Sequence, residues 1–374
     1  MPLMTDSDVA RRVFEHVDHK TTDAVDSVWR EPVANYTSQA RLDAELALLR
    51  RLPVPFCPSG ALAGEGAYLA REAAGTPLLV VRGSDGVVRG FRNACRHRGM
   101  QVATGTGCAK AFACKYHGWT YGLDGGLRHV PHEHGFPGLA RESHRLVPVE
   151  TRERGGIVYV AQSPRPGDWA AVEALPELVG PEQRMFASRE ITIPANWKIF
   201  LEGFLEGYHI KTTHPTSFYP FGYDNLNVIE YFGRNSRVTF PFQRIERLRG
   251  LPAEQQRVDG LLTYVYQLFP NAILTMLSHH TVLVVLEPVS LGETRFVTYL
   301  LSNRGTGDAK SVEDAQRDAQ FVNQGGAVED AAMVAAIQRS IGSGANEHFT
   351  FGRFEGALAH FHRELDTLLA SALG

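Results

Sequence analysis

The pattern of hydrophobic and polar positions divides the chain into stretches of different periodicity. Residues 5–50 carry apolar positions at helical spacing, most clearly in LDAELALLRRL, and this pattern ends at the prolines of RLPVP. From there to about residue 162, short β runs are separated by glycine. TPLLVVRGSDGVVRGFRNAC predicts a hairpin with Asp85-Gly86 at its turn, KAFACKYHGWTYGLDGGL predicts a second hairpin, and GGIVYVAQ predicts a closing strand. These runs together predict a small β domain.

After the linker SPRPGD, strands and helices alternate. REITIP predicts a strand, and Asn196 is the expected start of a helix. Six longer strands follow in LNVIEYFG, SRVTFPF, LLTYVYQLF, AILTML, TVLVVLEPV and TRFVTYLLS. Two helices, at about 310–340 and 352–372, complete the pattern. The second half is therefore expected to be an α+β domain in which an antiparallel sheet with a concave face wraps around helices.

Composition limits the classes of function. The chain has 374 residues, of which 44% are hydrophobic and 21% are charged, enough for two domains with their own cores. A net charge of −3 provides no basic field for nucleic acid or an anionic membrane surface, so we expect neither partner. The N-terminal residues show no signal-peptide pattern, and the most apolar run, TVLVVLEPV, is too short to span a bilayer. These features predict a cytoplasmic protein.

Two Cys-His pairs in the β domain point to a metal centre. Cys95-X-His97 and Cys114-X-X-His117 supply two thiolates and two imidazoles from two loops. Zinc accepts such a set, so the spacing alone leaves a zinc ribbon open. One Cys-His pair per loop allows each loop to give one ligand to each iron of a [2Fe-2S] cluster, in which two neutral imidazoles raise the reduction potential. The details of the pattern favour this cluster.

Other residues of the β domain have simpler expected roles. A glycine follows the histidine of each Cys-His pair, and these two glycines, Gly99 and Gly118, permit the backbone to approach a cluster closely. Cys57 and Cys108 have no histidine at matching spacing and are expected to be packing residues. The histidines of HVPHEH are expected to be solvated loop residues: His129, His132 and His134.

The stretch LEGYHIKTTHP contains a second possible metal site. On an ideal helix, Glu206 and His209 share a face, whereas His209 and His214 diverge by roughly 140°. Both imidazoles can meet at one ion only if the helix ends or loosens between them, and Pro215 disfavours α geometry at His214. The alternative is an ordinary helix C-terminus with one polar histidine.

Two histidines and one carboxylate are the ligand set of non-haem Fe(II) oxygenases. We expect Asp330 of AVEDAAMVAAIQRS to be the third ligand, because Glu206 would lie behind His209 on the same helix and accept a hydrogen bond from its other ring nitrogen. Asp318 and Glu329 are rivals for this position, but on a helix they are expected to be solvated charges.

The sequence resembles a known family over nearly its whole length. CRHRG and CKYHGW, with Trp119 and Tyr121, resemble the Rieske family over residues 50–162. NWKIFLEGFLEGYHIKTTHP resembles the Asn-Trp-Lys … Glu/Asp-X-Tyr-His-X4-His block of the α subunits of Rieske non-haem iron oxygenases, which include aromatic-ring-hydroxylating dioxygenases and carnitine-type monooxygenases. EDAAMVAAIQ resembles their late acidic helix, and ALAHFHREL their closing helix.

This resemblance implies an α+β fold with a small all-β Rieske [2Fe-2S] domain and a helix-grip (START-like) catalytic domain built on an antiparallel sheet. The expected boundaries are 1–48 for an N-terminal helical segment that packs on the catalytic domain, 49–163 for the Rieske domain and 164–374 for the catalytic domain. The implied cluster ligands are Cys95, His97, Cys114 and His117. The implied ligands of mononuclear Fe(II) are His209, His214 and Asp330, with Glu206 as a bridging acid and Asn196 near the site.

The implied activity is that of a terminal oxygenase, an oxidoreductase that uses O₂ to hydroxylate, as a mono- or dioxygenase, or to oxidatively dealkylate a small organic molecule. No GxGxxG fingerprint follows a strand, so electrons must come from a separate NAD(P)H-dependent flavin/iron-sulfur reductase, directly or through a ferredoxin. The resemblance also implies a homotrimer, in which Glu206 links an iron-ligating histidine to the partner subunit's His117, because the two centres of one chain lie too far apart for electron transfer. A non-catalytic Rieske electron carrier is the alternative from a different class.

The substrate is the open question at this level. Aromatic residues after the second histidine offer an apolar slot, although core packing explains most of them: Phe218, Tyr219, Phe221, Tyr223, Phe240 and Phe242. We therefore expect an aromatic or otherwise apolar compound. The alternative is a quaternary ammonium compound such as carnitine or betaine, because Glu206 stands where the family usually has Asp. Of His279 and His280, strand alternation turns one inward, where packing and a hydrogen bond are expected.

Overall fold

The computed structural model describes residues 2–303 and 309–371 and divides into two compact units. One unit comprises Met1–Leu48 and Glu182–Gly374, and the other comprises Leu49–Pro181. Within the described residues, no helix has both the length and the apolar character needed to cross a membrane.

The N-terminal segment contains the helices α1 Asp6–His19, α2 Ala34–Thr37 and α3 Gln39–Arg51. Thr5 caps α1 by accepting a hydrogen bond from the N–H of Asp8. The predicted helical run is interrupted by strand β1, Trp29–Pro32, which pairs with residues 348–351. Four residues that find their partner more than 300 positions away leave no local periodicity, so this strand escapes sequence analysis.

The β unit is built from antiparallel strands, and Asp85-Gly86 forms the predicted turn with Gly86 at φ +77°. Its strands are β2 Val54–Pro58, β3 Ala67–Ala73, β4 Thr76–Arg82, β5 Val88–Arg92, β6 Gly105–Cys108, β7 Phe112–Ala113, β8 Thr120–Tyr121, β9 Leu127–His129, β10 Pro148–Arg154 and β11 Ile157–Ala161. One sheet has the order β2-β11-β10-β5-β4-β3-β6, and a smaller sheet has the order β7-β8-β9.

The β unit extends past residue 163, where the sequence places its end. The segment that follows β11 includes the short helix α4, Ala170–Glu173, and runs back along the β10–β11 hairpin. Arg154 donates through Nε to the carbonyl of Leu175 at 2.9 Å, and Gly155 accepts from the N–H of Val179 at 2.9 Å. These bonds to the hairpin explain why residues 164–181 group with the β unit.

The other unit contains a seven-stranded antiparallel sheet of order β12-β18-β17-β16-β15-β14-β13. Its strands are β12 Arg184–Ile193, β13 Val228–Phe232, β14 Asn235–Pro241, β15 Leu262–Leu268, β16 Ala272–Met276, β17 His280–Ser290 and β18 Glu293–Ser302, and β19 His348–Phe351 pairs with β1. Its helices are α5 Trp197–Gly203, α6 Ile210–Thr213, α7 Ala309–Val322, α8 Val328–Ser340 and α9 Gly356–Ala370. All the strands predicted for this half are present.

The helix predicted at 310–340 is not continuous. A five-residue π turn, Asn323–Ala327, separates α7 from α8. Two glycines lie in this turn, and a Cβ added to Gly326 would lie only 2.1 Å from the ring of Phe218. The absence of a side chain therefore lets the turn approach Phe218, and π turns of this kind occur frequently at functional sites.

Aromatic contacts join helices to the sheet and to each other. Phe200 of α5 packs on Phe296 of β18 with ring centroids 4.7 Å apart, and Trp197 of α5 meets Phe361 of α9 at 5.8 Å. These contacts fix helix α5 on the sheet, and LEGYHIKTTHP begins at Leu205, two residues after the helix ends.

A buried polar network lies between α5 and α9. His362 is fully buried and places Nε2 2.9 Å from Glu202 and Nδ1 3.2 Å from Glu31. Tyr36 donates its hydroxyl proton to Glu202 at 2.6 Å. Burial alone would lower the pKa of His362, but the two carboxylates raise it to about 9. Burial opposes ionisation of Glu31, but His362 and further hydrogen bonds lower its pKa to about 2.

Candidate active site and metal centres

The two Cys-His loops of the β unit have the same backbone design. In the first loop, the N–H of Cys95 bonds to the carbonyl of Met100 and the N–H of Gly99 bonds back to Cys95. In the second, Cys114 bonds to Trp119 and Gly118 bonds back to Cys114 in the same way. Gly99 and Gly118 have φ of +79° and +74°, which only glycine adopts without strain. Each CXHXG or CXXHG sequence therefore folds into a tight loop that presents its cysteine and histidine together.

The four side chains divide by depth. Cys95 and Cys114 are buried and form no disulfide, His97 is half-buried and His117 is exposed. The ring centroids of His97 and His117 are 4.7 Å apart. Burial, and next the nearby His117, lower the pKa of His97, which favours the neutral imidazole that binds metal.

The donor set fits a [2Fe-2S] cluster better than zinc. Among residues 2–303 and 309–371, the four side chains do not form a group that converges on a single ion. Two thiols at depth and two imidazoles nearer the surface match the division of a Rieske cluster into an inner and an outer iron. The hydroxyl of Tyr121 lies 3.3 Å from Sγ of Cys95, which is a hydrogen bond of the kind that tunes cluster potential.

Trp119 and Tyr121 contact residues of the first Cys-His loop and hold it in place. Trp119 stacks on His97 with ring centroids 5.0 Å apart and planes 9° from parallel. Tyr121 also accepts the N–H of Arg96 at 2.8 Å, which holds the first loop against β8. The two aromatic residues that carried the resemblance thus contact the predicted ligands.

His209 and His214 flank the short helix α6. Helix α5 ends at Gly203, a turn follows, and His209 is the N-cap of α6, so Glu206 lies in this turn rather than on a helix with His209. His214 leaves helical geometry at φ −117° and ψ 45°, as the following Pro215 predicts. The two imidazole rings meet with centroids 5.2 Å apart.

Asp330 completes a group of three potential ligands. Its Oδ1 lies 2.9 Å from Nε2 of His214 and 3.8 Å from Nε2 of His209. The ligand atoms of the three residues all lie within 4.8 Å of one another. Asp330 is the third residue of α8, so the π turn before this helix sets its position. Two imidazoles and one carboxylate fit Fe(II) with positions left open for other ligands.

Each histidine is held from behind by a carboxylate. Nδ1 of His209 bonds to Glu206, which also accepts the N–H groups of Tyr208 and His209. Nδ1 of His214 lies 2.7 Å from Glu329, and Ser217 donates to the same oxygen at 2.6 Å. Burial alone would lower the pKa of both imidazoles, but the carboxylates raise it. These bonds to Nδ1 direct both Nε2 atoms toward Asp330.

Glu329 was expected to be a solvated charge, and this expectation was wrong. On α8, Glu329 and Asp330 point in different directions, one toward Nδ1 and one toward Nε2 of His214. The adjacency of two acids is the only sequence signal of this arrangement, and it does not say which acid binds metal.

Asp318 was also expected to be solvated, but it accepts a hydrogen bond from Nδ1 of His280 at 2.9 Å and from the N–H of His279 at 3.0 Å. His280 is buried and hydrogen-bonded as predicted, whereas His279 is exposed. Asp318 is therefore committed to the turn before β17 and not to the histidine pair.

The remaining predicted residues divide between site and scaffold. Asn196 is a buried N-cap of α5, whose amide bonds to Lys198, Tyr36 and Leu291, and it is not part of the cavity wall described below. Cys57 is a packing residue as predicted, but Cys108 is exposed on an edge strand. The three histidines of HVPHEH are exposed, as expected: His129, His132 and His134.

A cavity of about 1150 Å³ opens at the three potential iron ligands, all of which line it. Of the aromatic residues singled out in the sequence, all except Tyr219 line this cavity. Five further phenylalanines, which the sequence analysis did not single out, also line it: Phe186, Phe200, Phe204, Phe296 and Phe321. Three carboxylates reach its wall, and each already contacts an imidazole: Glu206, Asp318 and Asp330. The cavity is thus mainly apolar and aromatic.

Comparisons with known proteins agree with both centres. Residues 53–148 match the Rieske [2Fe-2S] domain, and residues 182–371 match the ring hydroxylating alpha subunit (catalytic domain). The chain is 28% identical over 373 residues to the carnitine monooxygenase oxygenase subunit of Escherichia coli strain K12, covering 90% of this chain and 93% of that protein. A glycine betaine monooxygenase oxygenase subunit of Chromohalobacter salexigens is 34% identical over 159 residues, covering 40% of this chain and 35% of that protein.

Solved structures show the same fold. A quaternary ammonium Rieske monooxygenase in complex with L-carnitine superposes with a TM-score of 0.76 at 19% identity, covering 98% of this chain and 99% of that one. Naphthalene 1,2-dioxygenase from Rhodococcus sp. bound to indole superposes with a TM-score of 0.75 at 18% identity, covering 97% and 98%. The catalytic-domain match alone spans just over half of the chain. The protein therefore belongs to the ring-hydroxylating α subunits, the terminal oxygenases of Rieske systems, which carry a [2Fe-2S] cluster and a mononuclear iron and draw electrons from a separate reductase.

Proposed function

We propose that the protein oxygenates a bulky, largely apolar or aromatic substrate held in the cavity of the catalytic domain. The observation that carries this proposal is the wall of that cavity. The wall is rich in aromatic side chains, and each carboxylate among its described residues already contacts an imidazole. Its volume of about 1150 Å³ exceeds the needs of a molecule the size of carnitine, since pockets of roughly 300–1,000 Å³ already enclose drug-sized ligands.

We assign the metal ligands accordingly. Cys95, His97, Cys114 and His117 would hold the cluster, and His209, His214 and Asp330 would hold the iron. When bound, these groups supply single electrons and activation of O₂. The chain itself orients the imidazoles through Glu206 and Glu329 and surrounds the substrate with apolar side chains that exclude water.

The second candidate function is monooxygenation of a quaternary ammonium compound. It is favoured by the curated relatives, whose names specify carnitine and glycine betaine, and by the glutamate at position 206. The aromatic rings of the cavity offer cation–π contacts for an alkylammonium group. The paired state of every wall carboxylate argues against it, because no free anion neutralises the cation.

Product analysis of the reconstituted enzyme distinguishes these functions. With an NADH-dependent flavin/iron-sulfur reductase and ¹⁸O₂, we expect labelled product from naphthalene or biphenyl, with kcat/KM at least about tenfold above that for L-carnitine or glycine betaine. The reverse order would establish the quaternary ammonium function. Reduction of the cluster without substrate-dependent O₂ consumption for either class would indicate an electron carrier.

We further propose that the enzyme works as a homotrimer in the cytoplasm. Four unpaired cysteines suit a reducing compartment. Glu206 is proposed to connect His209 with the partner subunit's His117, so that electrons pass between subunits. Support comes from its bond to His209 and from its place in the family motif.

The exchange Glu206→Gln tests this role. Because the amide keeps the size but not the charge that orients the imidazole, we expect both metal centres to stay loaded while substrate-dependent reoxidation of the pre-reduced cluster slows about 10- to 100-fold. Rapid-mixing absorbance measures this rate. Glu329→Gln is the matched control, because it removes the equivalent bond to His214 without touching the proposed bridge. Equal slowing in both variants, or none in Glu206→Gln, would contradict the bridge.

A further inference from the structure

The cavity wall contains acidic and basic side chains that differ in whether they have a close partner. Its three carboxylates each contact an imidazole, as described above. Two arginines, Arg189 and Arg244, also line the cavity. Neither guanidinium forms an ion pair, because no carboxylate oxygen of the described residues lies within 4.0 Å of its nitrogen atoms. The two guanidinium groups are therefore charged groups of this wall that have no ion-pair partner among the described residues.

Arg244 is held in a fixed position. Its Nε donates to the carbonyl of Gly260 at 2.7 Å, and its Nη2 donates to the hydroxyl of Ser278 at 2.7 Å. The guanidinium carbon also lies 4.6 Å from the ring centroid of Phe242. Nη1 donates to no group in the described part of the chain. Two bonds and one stacked ring thus fix the guanidinium and leave donors for a ligand.

The surroundings of Arg244 disfavour its charge. Arg244 is an exposed residue, and the partial burial of its guanidinium, with the nearby guanidinium of Arg247 as a second cause, lowers its pKa, whereas the charge of Asp318 raises it. A guanidinium in such a position gains most from a carboxylate, which it binds through two parallel hydrogen bonds. Both arginines are exposed residues. Arg189, on the edge strand β12, differs because its side chain donates no hydrogen bond to any described residue, whereas Arg244 donates two.

We propose that Arg244 binds a carboxylate of the substrate, so that the substrate class is an apolar or aromatic carboxylic acid. This inference rests on the proposed function in taking the cavity as the substrate site. It adds a specificity-determining contact that a wholly apolar slot lacks. A neutral analogue of the same shape would leave the fixed guanidinium without an anion and would bind more weakly.

Matched pairs of acid and amide test the contact in the anaerobic holoenzyme. Calorimetry would compare 2-naphthoate with 2-naphthamide and γ-butyrobetaine with its carboxamide. We expect the wild-type protein to bind the acid of the fitting scaffold about tenfold or more tightly than its amide. Arg244→Gln should remove this preference by weakening the acid about tenfold while leaving the amide unchanged, and Arg244→Lys should keep part of it.

Arg247→Gln is the matched control. Arg247 lies three residues further in the same segment and does not line the cavity, so its exchange should leave both affinities unchanged. An unchanged circular dichroism spectrum and an unchanged mononuclear iron content would show that each variant is folded and loaded. Which scaffold binds decides the proposed function, whereas the difference between acid and amide decides the role of Arg244.

Three results would overturn the inference. The first is equal binding of acid and amide by the wild-type protein, or no detectable binding of either acid at millimolar concentration. The second is an acid preference that survives Arg244→Gln. The third is an acid preference lost in Arg189→Gln but kept in Arg244→Gln, which would assign the carboxylate to Arg189.

Discussion

Asp330→Ala is expected to abolish product formation while leaving the absorption spectrum of the Rieske cluster unchanged. Asp330 supplies the only carboxylate oxygen within 4.8 Å of both Nε2 atoms in the described chain, so its removal leaves two neutral imidazoles that hold Fe(II) weakly. We expect loss of mononuclear iron by metal analysis and activity below detection with any substrate. The cluster should remain because its ligands lie in the other compact unit.

Two variants bracket this result. Asp318→Asn removes a neighbouring acid that binds His280, and it should retain the iron. Cys114→Ala should do the converse of Asp330→Ala, losing the cluster absorption and acid-labile sulfide but keeping mononuclear iron. Retention of iron and turnover in Asp330→Ala, together with their loss in Asp318→Asn, would show that the third ligand is assigned to the wrong acid.

His362→Phe is expected to lower the free energy of unfolding by about 3–5 kcal/mol near pH 6, because it leaves two buried carboxylates without their cation. Glu31 and Glu202 are both nearly inaccessible to solvent and both contact this imidazole. Urea unfolding followed by circular dichroism measures the change. His360→Phe is the control, since His360 has no ion pair with any described residue and its exchange should cost about 1 kcal/mol or less.

The pKa shifts of His362 and Glu31 determine how the effect of His362→Phe on the free energy of unfolding should vary with pH. Because folding raises the pKa of His362 to about 9, its stabilisation is complete below its unfolded pKa near 6.5 and is lost as pH rises through about 9. Folding lowers the pKa of Glu31 to about 2, so its contribution is present above about 4.5 and is lost as pH falls through about 2. The difference between wild type and His362→Phe should therefore shrink near pH 10. A difference that stays constant from about pH 6 to about pH 10 would show that His362 acts by packing and not by charge.

The sequence predicted the ligand-bearing segments because each is short and local. The two loops contain their own cysteine, histidine and glycine, and His209 and His214 are separated by one four-residue helix. Such spacing is visible in the printed chain without knowledge of the tertiary fold.

What could not be predicted depends on contacts between distant segments. Glu329 meets His214 from 115 positions away, and its neighbour Asp330 has the same chemical character, so only the orientation of α8 separates their roles. The pairing of β1 with β19 and the bond between Asp318 and His280 have the same origin. Periodicity indicates which face of an element is apolar, but it does not indicate which polar groups will meet across that face.

The π turn between α7 and α8 changes the direction in which the side chains of α8 point relative to those of α7. Asp318 and Asp330 are twelve positions apart, and on an uninterrupted α-helix they would diverge by roughly 120°. A π turn accommodates one additional residue, so the two acids behave as if about eleven positions apart and diverge by only about 20°. Both therefore reach the same cavity. The direction of the proposed iron-binding carboxylate is thus set by the number of residues between the helices, and a one-residue insertion there would rotate it away although no ligand had been changed.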